Sequence, residues 1–499
     1  MPALPLLARA HTHGSRTALR CGQRVFRASD LLTVSRAVAA TLLDGRDDLA
    51  EARIAFLVPP SEQYVHAQWG IWQAGGVAVP LSLAATTKEL TYAIAASQSS
   101  VVVTTPEYAA TLQPIADAHS ARLLLLEDVP PDASGPLPEI GPDRRGMMLY
   151  TSGTTSTPKG VVTTHGCIQA QVEALIDAWR WQPEDRIPLF LPLHHIHGII
   201  NVLCCGLWAG AEIDVLPRFD LSTVFDRVAS HAYTIFMAVP TIYVKMIEGL
   251  RELPAEQASA VVAGFEAMRL MVSGSAALPA SVHEQWTALT GQRLLERYGM
   301  TEIGMALSNP YDGERRPGAV GQPLPGVDVC LRSEAGEEIT AESVPGEIHV
   351  HGPNVFLEYW NQPEATRDAF RDGWFRTGDI AVVEDGFYRI LGRSSVDIIK
   401  SGGYKLSALE IEAALLDHPA IEQCAVVGLP DSTWGETVAA AVVLAPGASL
   451  DLEGLQAWCH DHLSPYKMPR RLLLRDDLPR NAMGKVTKPA VSALFAETS

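Results

Sequence analysis

Between Tyr150 and Gly160 the chain reads Tyr-Thr-Ser-Gly-Thr-Thr-Ser-Thr-Pro-Lys-Gly. The hydroxyls of Thr151, Ser152, Thr154, Thr155, Ser156 and Thr157 stand around the flexible Gly153, and Pro158 leads into Lys159 and Gly160. Glycine lets backbone N–H groups turn inward without a Cβ in the way, short hydroxyls add donors, and the lysine supplies a compact positive charge. Such a run can grip the phosphates of a nucleotide. It is not the G-x-x-x-x-G-K-[ST] pattern of P-loop hydrolases, because Lys159 precedes the second glycine instead of following it. Ser, Thr, Gly and Pro also build plain surface turns, and these residues alone fit either reading.

Further stretches carry chemistry at wide spacing: Ser273 to Pro279, Glu296-Arg-Tyr-Gly-Met-Thr-Glu302, Trp374-Phe-Arg-Thr-Gly-Asp379, Gly392-Arg393 and Pro479-Arg-Asn-Ala-Met-Gly-Lys485. Asp379 is a short carboxylate that can accept two hydroxyl donors, although aspartate is also common in turns. Lys485, in a loop bounded by proline and glycine, would by itself read as surface decoration. His194, His195 and His197 invite a metal reading. That reading fails, because adjacent histidines project differently and no further ligands stand at zinc spacing.

Composition narrows the classes. At 499 residues the chain should hold two or more domains. A net charge of -18 disfavours general binding to nucleic acid or an anionic membrane. Seven cysteines without a CxxC pair suggest a reducing compartment, and the first residues lack the pattern of a secretory signal, so a cytoplasmic location is expected. The longest apolar run, Gly198 to Ala211, is too short to span a bilayer and reads as a buried helix, so no membrane span is expected.

The elements that must hold these residues follow from periodicity. Ile54 to Val58, Val77 to Val79, Val101 to Thr105, Leu123 to Leu126, Ile213 to Leu216, Ile235 to Val239 and Leu270 to Val272 are short apolar runs that alternate with helical segments. Ser61 and the capping box Thr86-x-x-Glu89 open two of those helices. An α/β body with mainly parallel sheets is predicted. After about residue 380 the character changes. A hairpin turns at Asp385-Gly386, and beyond it come a helix opened by Ser407-x-x-Glu410, strands at Cys424 to Val427 and Val438 to Leu444, and a helix near Leu452 to Leu463.

Taken in order, the six motifs resemble the adenylate-forming superfamily of acyl-CoA synthetases, luciferases and peptide-synthetase adenylation domains, over nearly the whole chain. The resemblance implies an α/β fold with a large N-terminal adenylation domain at 1–392, a hinge at 393–397, and a small mobile α+β lid domain at 398–499. Arg393 to Lys400 is one residue longer than in many relatives, which leaves the hinge loosely placed. ATP, Mg²⁺ and coenzyme A are the implied cofactor and co-substrates. Thr151 through Gly160 would then hold the β and γ phosphates. Gly274, Ser275 and Ala276 would cover one face of adenine and Tyr298 the other. Thr301 would donate to the α-phosphate, Glu302 would hold Mg²⁺, and Asp379 and Arg393 would reach the ribose. Lys485 would bridge carboxylate and α-phosphate during adenylation and withdraw as the lid turns, bringing Gly403 and Tyr404 toward the thiol of CoA.

The segment from Glu296 to Ser308 resembles that of malonyl-CoA and methylmalonyl-CoA synthetases within this superfamily. Arg297 would pair bidentately with the distal carboxylate of malonate, while a local salt bridge to Glu296 is the bland alternative. His195 matches the family's acyl-pocket histidine, and Lys245 stands where related enzymes can carry a second positive group, an arginine. The resemblance therefore implies an ATP-dependent malonate:CoA ligase of fatty acid metabolism, with methylmalonate open. The alternatives are a ligase for another small acid, or a free-standing adenylation enzyme that loads a carrier protein. The partners are small molecules.

Overall fold

A computed structural model describes residues 4–151, 158–401, 404–431, 433–480 and 486–497. The apolar runs become strands buried on both faces, as parallel sheets covered by helices require. In a seven-stranded sheet, Val77–Pro80, Arg53–Leu57, Val101–Thr104 and Arg122–Leu125 run parallel, and Arg145–Thr151, Lys159–Thr164 and Glu358–Tyr359 extend it. The last three alternate in direction, with Thr151 paired to Lys159, so the hydroxyl-rich loop connects two antiparallel strands. A second sheet starts with the parallel strands Ile235–Ala238, Leu270–Ser273 and Leu295–Met300, then folds back through the hairpin Leu295–Met300/Gly304–Ser308. Thr301 and Glu302 occupy the tip of that hairpin.

Local signals act as their chemistry dictates. Glu89 N donates to Thr86 Oγ1 (3.3 Å) and Thr86 N to a Glu89 carboxylate oxygen (2.7 Å), closing a capping box on Thr87–Ser97. Asp385 and Gly386 take φ of 49° and 79°, the pair of positive values that a tight two-residue hairpin needs between Trp374–Glu384 and Phe387–Arg393. Ser61 precedes its helix but does not cap it, because its hydroxyl donates instead to Pro59 O. The apolar run after Gly198 is buried as expected, yet it winds as a π-helix over His197–Cys204 before an α-helical turn, Cys205–Ala209. One sheet departs from the parallel expectation. Asp328–Arg332, Gly346–His351, Trp374–Glu384 and Phe387–Arg393 form an antiparallel layer with short edge strands.

Phe387–Arg393 is the last strand of that layer, and Ile398–Ser401 already belongs to a different sheet with Tyr404–Ser407, Gly435–Leu444, Ile421–Asp431 and Arg471–Leu474. This second body has its own core on both faces. Ala425, Val427 and Leu429 pack toward Val491 and Phe495, whereas Val426 packs toward Ile411, Leu415 and Leu455 on the opposite side. The alternation is the two-residue period of a strand covered by helices on both sides.

Candidate functional site

The site grows from the ends of these strands. Asp379 lies opposite Arg393 in antiparallel register, and both of its oxygens are engaged: Tyr298 donates from its hydroxyl at 2.6 Å and Arg393 from Nε at 3.1 Å. Its own N–H donates to Thr377 Oγ1, which fixes the turn at Gly378. Each carboxylate oxygen has a second lone pair, so ribose hydroxyls can still be accepted. Burial and the Asp379 charge push the Tyr298 phenol far up, so it stays protonated and remains a donor.

Glu302, at the hairpin tip, is buried, which raises its carboxyl above the usual range. One oxygen accepts from the Tyr359 hydroxyl at 3.0 Å, and the ammonium of Lys159 sits 4.6 Å from the centre of the same tyrosine ring. Among the described residues no group of three or more His, Cys, Asp or Glu side chains converges on one point. A magnesium ion fits this arrangement, since it commonly takes one or two carboxylates and completes its shell with substrate phosphates and water. Glu302 would hold it, and the ion would neutralise charge on the β and γ phosphates. Of the phosphate loop, Thr151, Pro158, Lys159 and Gly160 are described, and Tyr92 donates to Pro158 O at 2.8 Å. Ser152, Gly153, Thr154, Thr155, Ser156, Thr157, Gly403 and Lys485 lie outside the described residues. The loop stem bearing Lys485 is nonetheless closed by Arg480 bridging to Val486 and by Thr487 N donating to Pro479 O.

Arg297 is 4% exposed and its guanidinium donates to Ser275 Oγ at 3.3 Å. Ser275 Oγ also lies 3.1 Å from His197 Nδ1. The salt bridge to Glu296 does not form. Consecutive strand residues face opposite sides of a sheet, and Glu296 instead accepts from Gly318 N at 2.9 Å. Burial pushes the Glu296 carboxyl up to about 8 and the Arg297 guanidinium down to about 9. His197 is held well below its usual range by burial and by the Arg297 charge, so it is neutral near pH 7. Arg297 Nε and His197 Nε2 have no hydrogen-bond partner among the described residues. Leaving a buried donor unpaired costs about 1–3 kcal/mol, a cost that an anionic ligand accepting from this cluster removes.

Gly274 makes room for this arginine, since a Cβ there would stand 2.5 Å from Arg297 Cζ. Ser275 takes φ +70°, a left-handed conformation rare outside glycine and frequent at functional sites. Gly274→Ala is therefore expected to push the guanidinium aside and raise the KM for an anionic acyl substrate about tenfold, the equivalent of roughly 1.4 kcal/mol of lost contact, and to raise it more than the ATP KM. Steady-state kinetics against each substrate checks this.

Of the other residues expected at the acyl site, His195 lies close to this cluster and Lys245 makes none of its hydrogen bonds. His195 is half-buried in the turn before the π-helix and acts electrostatically on His197, the first residue of that helix, which is linked to Arg297 through Ser275. Lys245 is exposed on the helix Pro240–Glu252 and takes no part in the Arg297–Ser275–His197 contacts. Tyr404 is 55% exposed and stacks on Tyr466, with ring centres 4.6 Å apart. Tyr359 was not among the sequence candidates; nothing local marks it, because its partner Glu302 is 57 residues away.

The fold joins a large α/β body, which carries the Asp379–Tyr298–Arg393 and Arg297–Ser275–His197 contacts, to a second small α+β body. The molecule is thus an adenylate-forming enzyme. The chain belongs to the AMP-binding enzyme family, whose main pattern matches residues 6–360 and whose C-terminal domain matches residues 410–485. It is 45% identical to the mitochondrial malonate–CoA ligase ACSF3 of Homo sapiens, covering 98% of this chain and 92% of that protein. It is 41% identical to the malonate–CoA ligase of Arabidopsis thaliana over 89% of this chain and 78% of the relative. The structure superposes on ATP-bound MatB from Rhodopseudomonas palustris with a TM-score of 0.90 at 34% identity, covering 99% of each chain.

Proposed function

We propose that this protein is an ATP-dependent malonate:CoA ligase working through a malonyl-adenylate. The observation that carries the acid is Arg297, a buried guanidinium without a carboxylate of its own among the described residues, set beside Ser275 and His197. Malonate offers one carboxylate to this cluster and a second for chemistry. Pairing the distal carboxylate with a planar guanidinium orients the reacting one and removes its freedom to turn, which converts substrate binding into rate.

In the first half-reaction a carboxylate oxygen of malonate forms a bond to the α-phosphorus of ATP, and the bond to the pyrophosphate oxygen breaks. Lys159 and the loop hydroxyls receive the leaving pyrophosphate, Thr301 donates to the α-phosphate, and Lys485 neutralises charge between the two anions. In the second, the sulfur of CoA bonds to the acyl carbon, the thiol proton is lost, and AMP departs as the carbon–oxygen bond breaks. Close identity to malonate–CoA ligases supports the substrate, and methylmalonate, which keeps both carboxylates, is the second acid to test. The expected reducing compartment rests on seven cysteines, all of them free in the structure.

The test is a panel of acids with ATP, Mg²⁺ and CoA, read as AMP release and thioester formation. Malonate is expected to turn over best, methylmalonate next, and acetate, benzoate and long-chain acids poorly. Efficient turnover of monocarboxylates without malonate would discard the assignment of the acid.

A further inference from the structure

After the strand Gly346–His351 the chain leaves the antiparallel layer and returns to the base of the phosphate loop before rejoining that layer at Trp374–Glu384. Glu358–Tyr359 adds an edge strand to Lys159–Thr164, pairing Tyr359 with Val161, while Trp360 N donates to Gly160 O at 2.8 Å and Leu357 N to Val162 O at 2.9 Å. Just before it, Phe356 N donates to the backbone carbonyl of Glu302 at 2.7 Å. One short stretch thus grips both the base of the phosphate loop and the acidic hairpin tip. Tyr359 is the side chain it places between them. The residue is buried, its hydroxyl donates to Glu302 Oε1 at 3.0 Å, and the Lys159 ammonium rests 4.6 Å from its ring centre. Its backbone N–H is held in turn by Thr366 Oγ1 at 2.9 Å.

Physical chemistry makes this placement consequential. Lys159 acts electrostatically on the buried Glu302, and a direct pair would neutralise both groups before substrate arrives. The ring offers Lys159 a quadrupole face in place of the carboxylate, an interaction worth less than an ion pair and easily surrendered to a phosphate. The hydroxyl occupies one carboxylate oxygen, which leaves the other directed to a metal. Arg393 also faces Glu302 and Tyr359 electrostatically, but its Nε is committed to Asp379.

We propose that Tyr359 is a positioning residue that holds Lys159 and Glu302 apart and orients them, so that both are available together to the magnesium–pyrophosphate end of ATP. This rests on the reading of Lys159 as a phosphate contact and Glu302 as the metal-holding carboxylate. The hydroxyl serves the metal side, and the ring serves the lysine side.

The two parts separate in equilibrium binding of ATP by the full-length protein, measured by calorimetry with and without Mg²⁺. In the unaltered protein Mg²⁺ is expected to strengthen ATP binding. Tyr359→Phe keeps the ring and the fold and is expected to cut that Mg²⁺-dependent gain by about tenfold, the lower end of the loss seen when a residue orienting a metal ligand is removed. Its affinity for ATP without Mg²⁺ should stay within about twofold, as expected when the cation–π face is retained. Tyr359→Leu, which fills space without a quadrupole or a donor, should weaken ATP binding in the absence of Mg²⁺ as well, because Lys159 is then free to pair with Glu302. An unchanged Mg²⁺ gain in Tyr359→Phe overturns the orienting role, and unchanged metal-free affinity in Tyr359→Leu overturns the separating role. A protein whose ATP affinity ignores Mg²⁺ before any substitution would instead refute the metal-holding assignment of Glu302. A purely structural tyrosine would lower the melting temperature of both variants and leave the Mg²⁺ gain of the phenylalanine variant intact.

Discussion

Arg297→Ala is expected to raise the malonate KM about 10²-fold or more, because truncating one partner of a buried, hydrogen-bonded charge pair costs roughly 2–5 kcal/mol. The ATP KM should rise far less, since the hydrogen bond of Arg297 goes to the Ser275 side chain and not to Asp379, Tyr298 or Lys159. Stability distinguishes this role from a structural one. In the free protein Arg297 is buried and burial alone depresses its pKa, with no carboxylate compensating. Replacing an uncompensated buried charge by an apolar group of similar volume is neutral or stabilising. Arg297→Met should therefore leave the melting temperature unchanged or raise it, while malonate no longer raises it further. A lower melting temperature with equal losses for ATP and malonate would show that the arginine serves the fold. Arg297→Lys should recover only part of the activity, because the space cleared by Gly274 lies against a planar fork rather than a point charge.

The second large effect is expected at Lys485. Lys485→Ala should lower malonate-dependent exchange of pyrophosphate into ATP by about 10²–10³-fold, the range seen when one preorganised donor to a developing charge is removed. ATP binding should survive, since Lys159, Asp379 and Arg393 are untouched. Thioester formation from pre-made malonyl-adenylate and CoA should also survive, because no charge then needs bridging at the α-phosphorus. Full exchange in the variant would remove Lys485 from the adenylation step. The described flanks of this loop show how its base is anchored. Lys488, three positions on, pairs with Asp397 at 2.6 Å and Glu412 at 2.9 Å, and Asp397 accepts from Arg393 N at 3.0 Å. A line of contacts therefore runs from the pair Asp379–Arg393 through Asp397 to Lys488, at the start of the helix that follows Lys485.

Much of the scaffold was legible because its causes are local. The Thr86–Glu89 box, the Asp385-Gly386 turn and the doubly buried strands each depend on residues within a few positions of one another. The rest of the antiparallel layer, beyond the Asp385-Gly386 hairpin, escaped because strands such as Asp328–Arg332 and Gly346–His351 carry half-polar patterns and pair across loops of varied length. The π-helix escaped because a mostly apolar run such as Ile199 to Leu203, interrupted only by Asn201, reads alike in any buried helix.

By itself the sequence determined which chemical groups are present: a lysine among hydroxyls, carboxylates at Asp379 and Glu302, and an arginine next to Glu296. Only the tertiary structure decided which of them meet. Arg297 finds Ser275 across 22 residues, Ser275 finds His197 across 78, Tyr298 finds Asp379 across 81, and Tyr359 finds Glu302 across 57. Such contacts are fixed by the order and direction of strands in separate sheets, whose packing depends on the whole core. No local pattern encodes them, and the link from His197 through Ser275 to the arginine is one such contact.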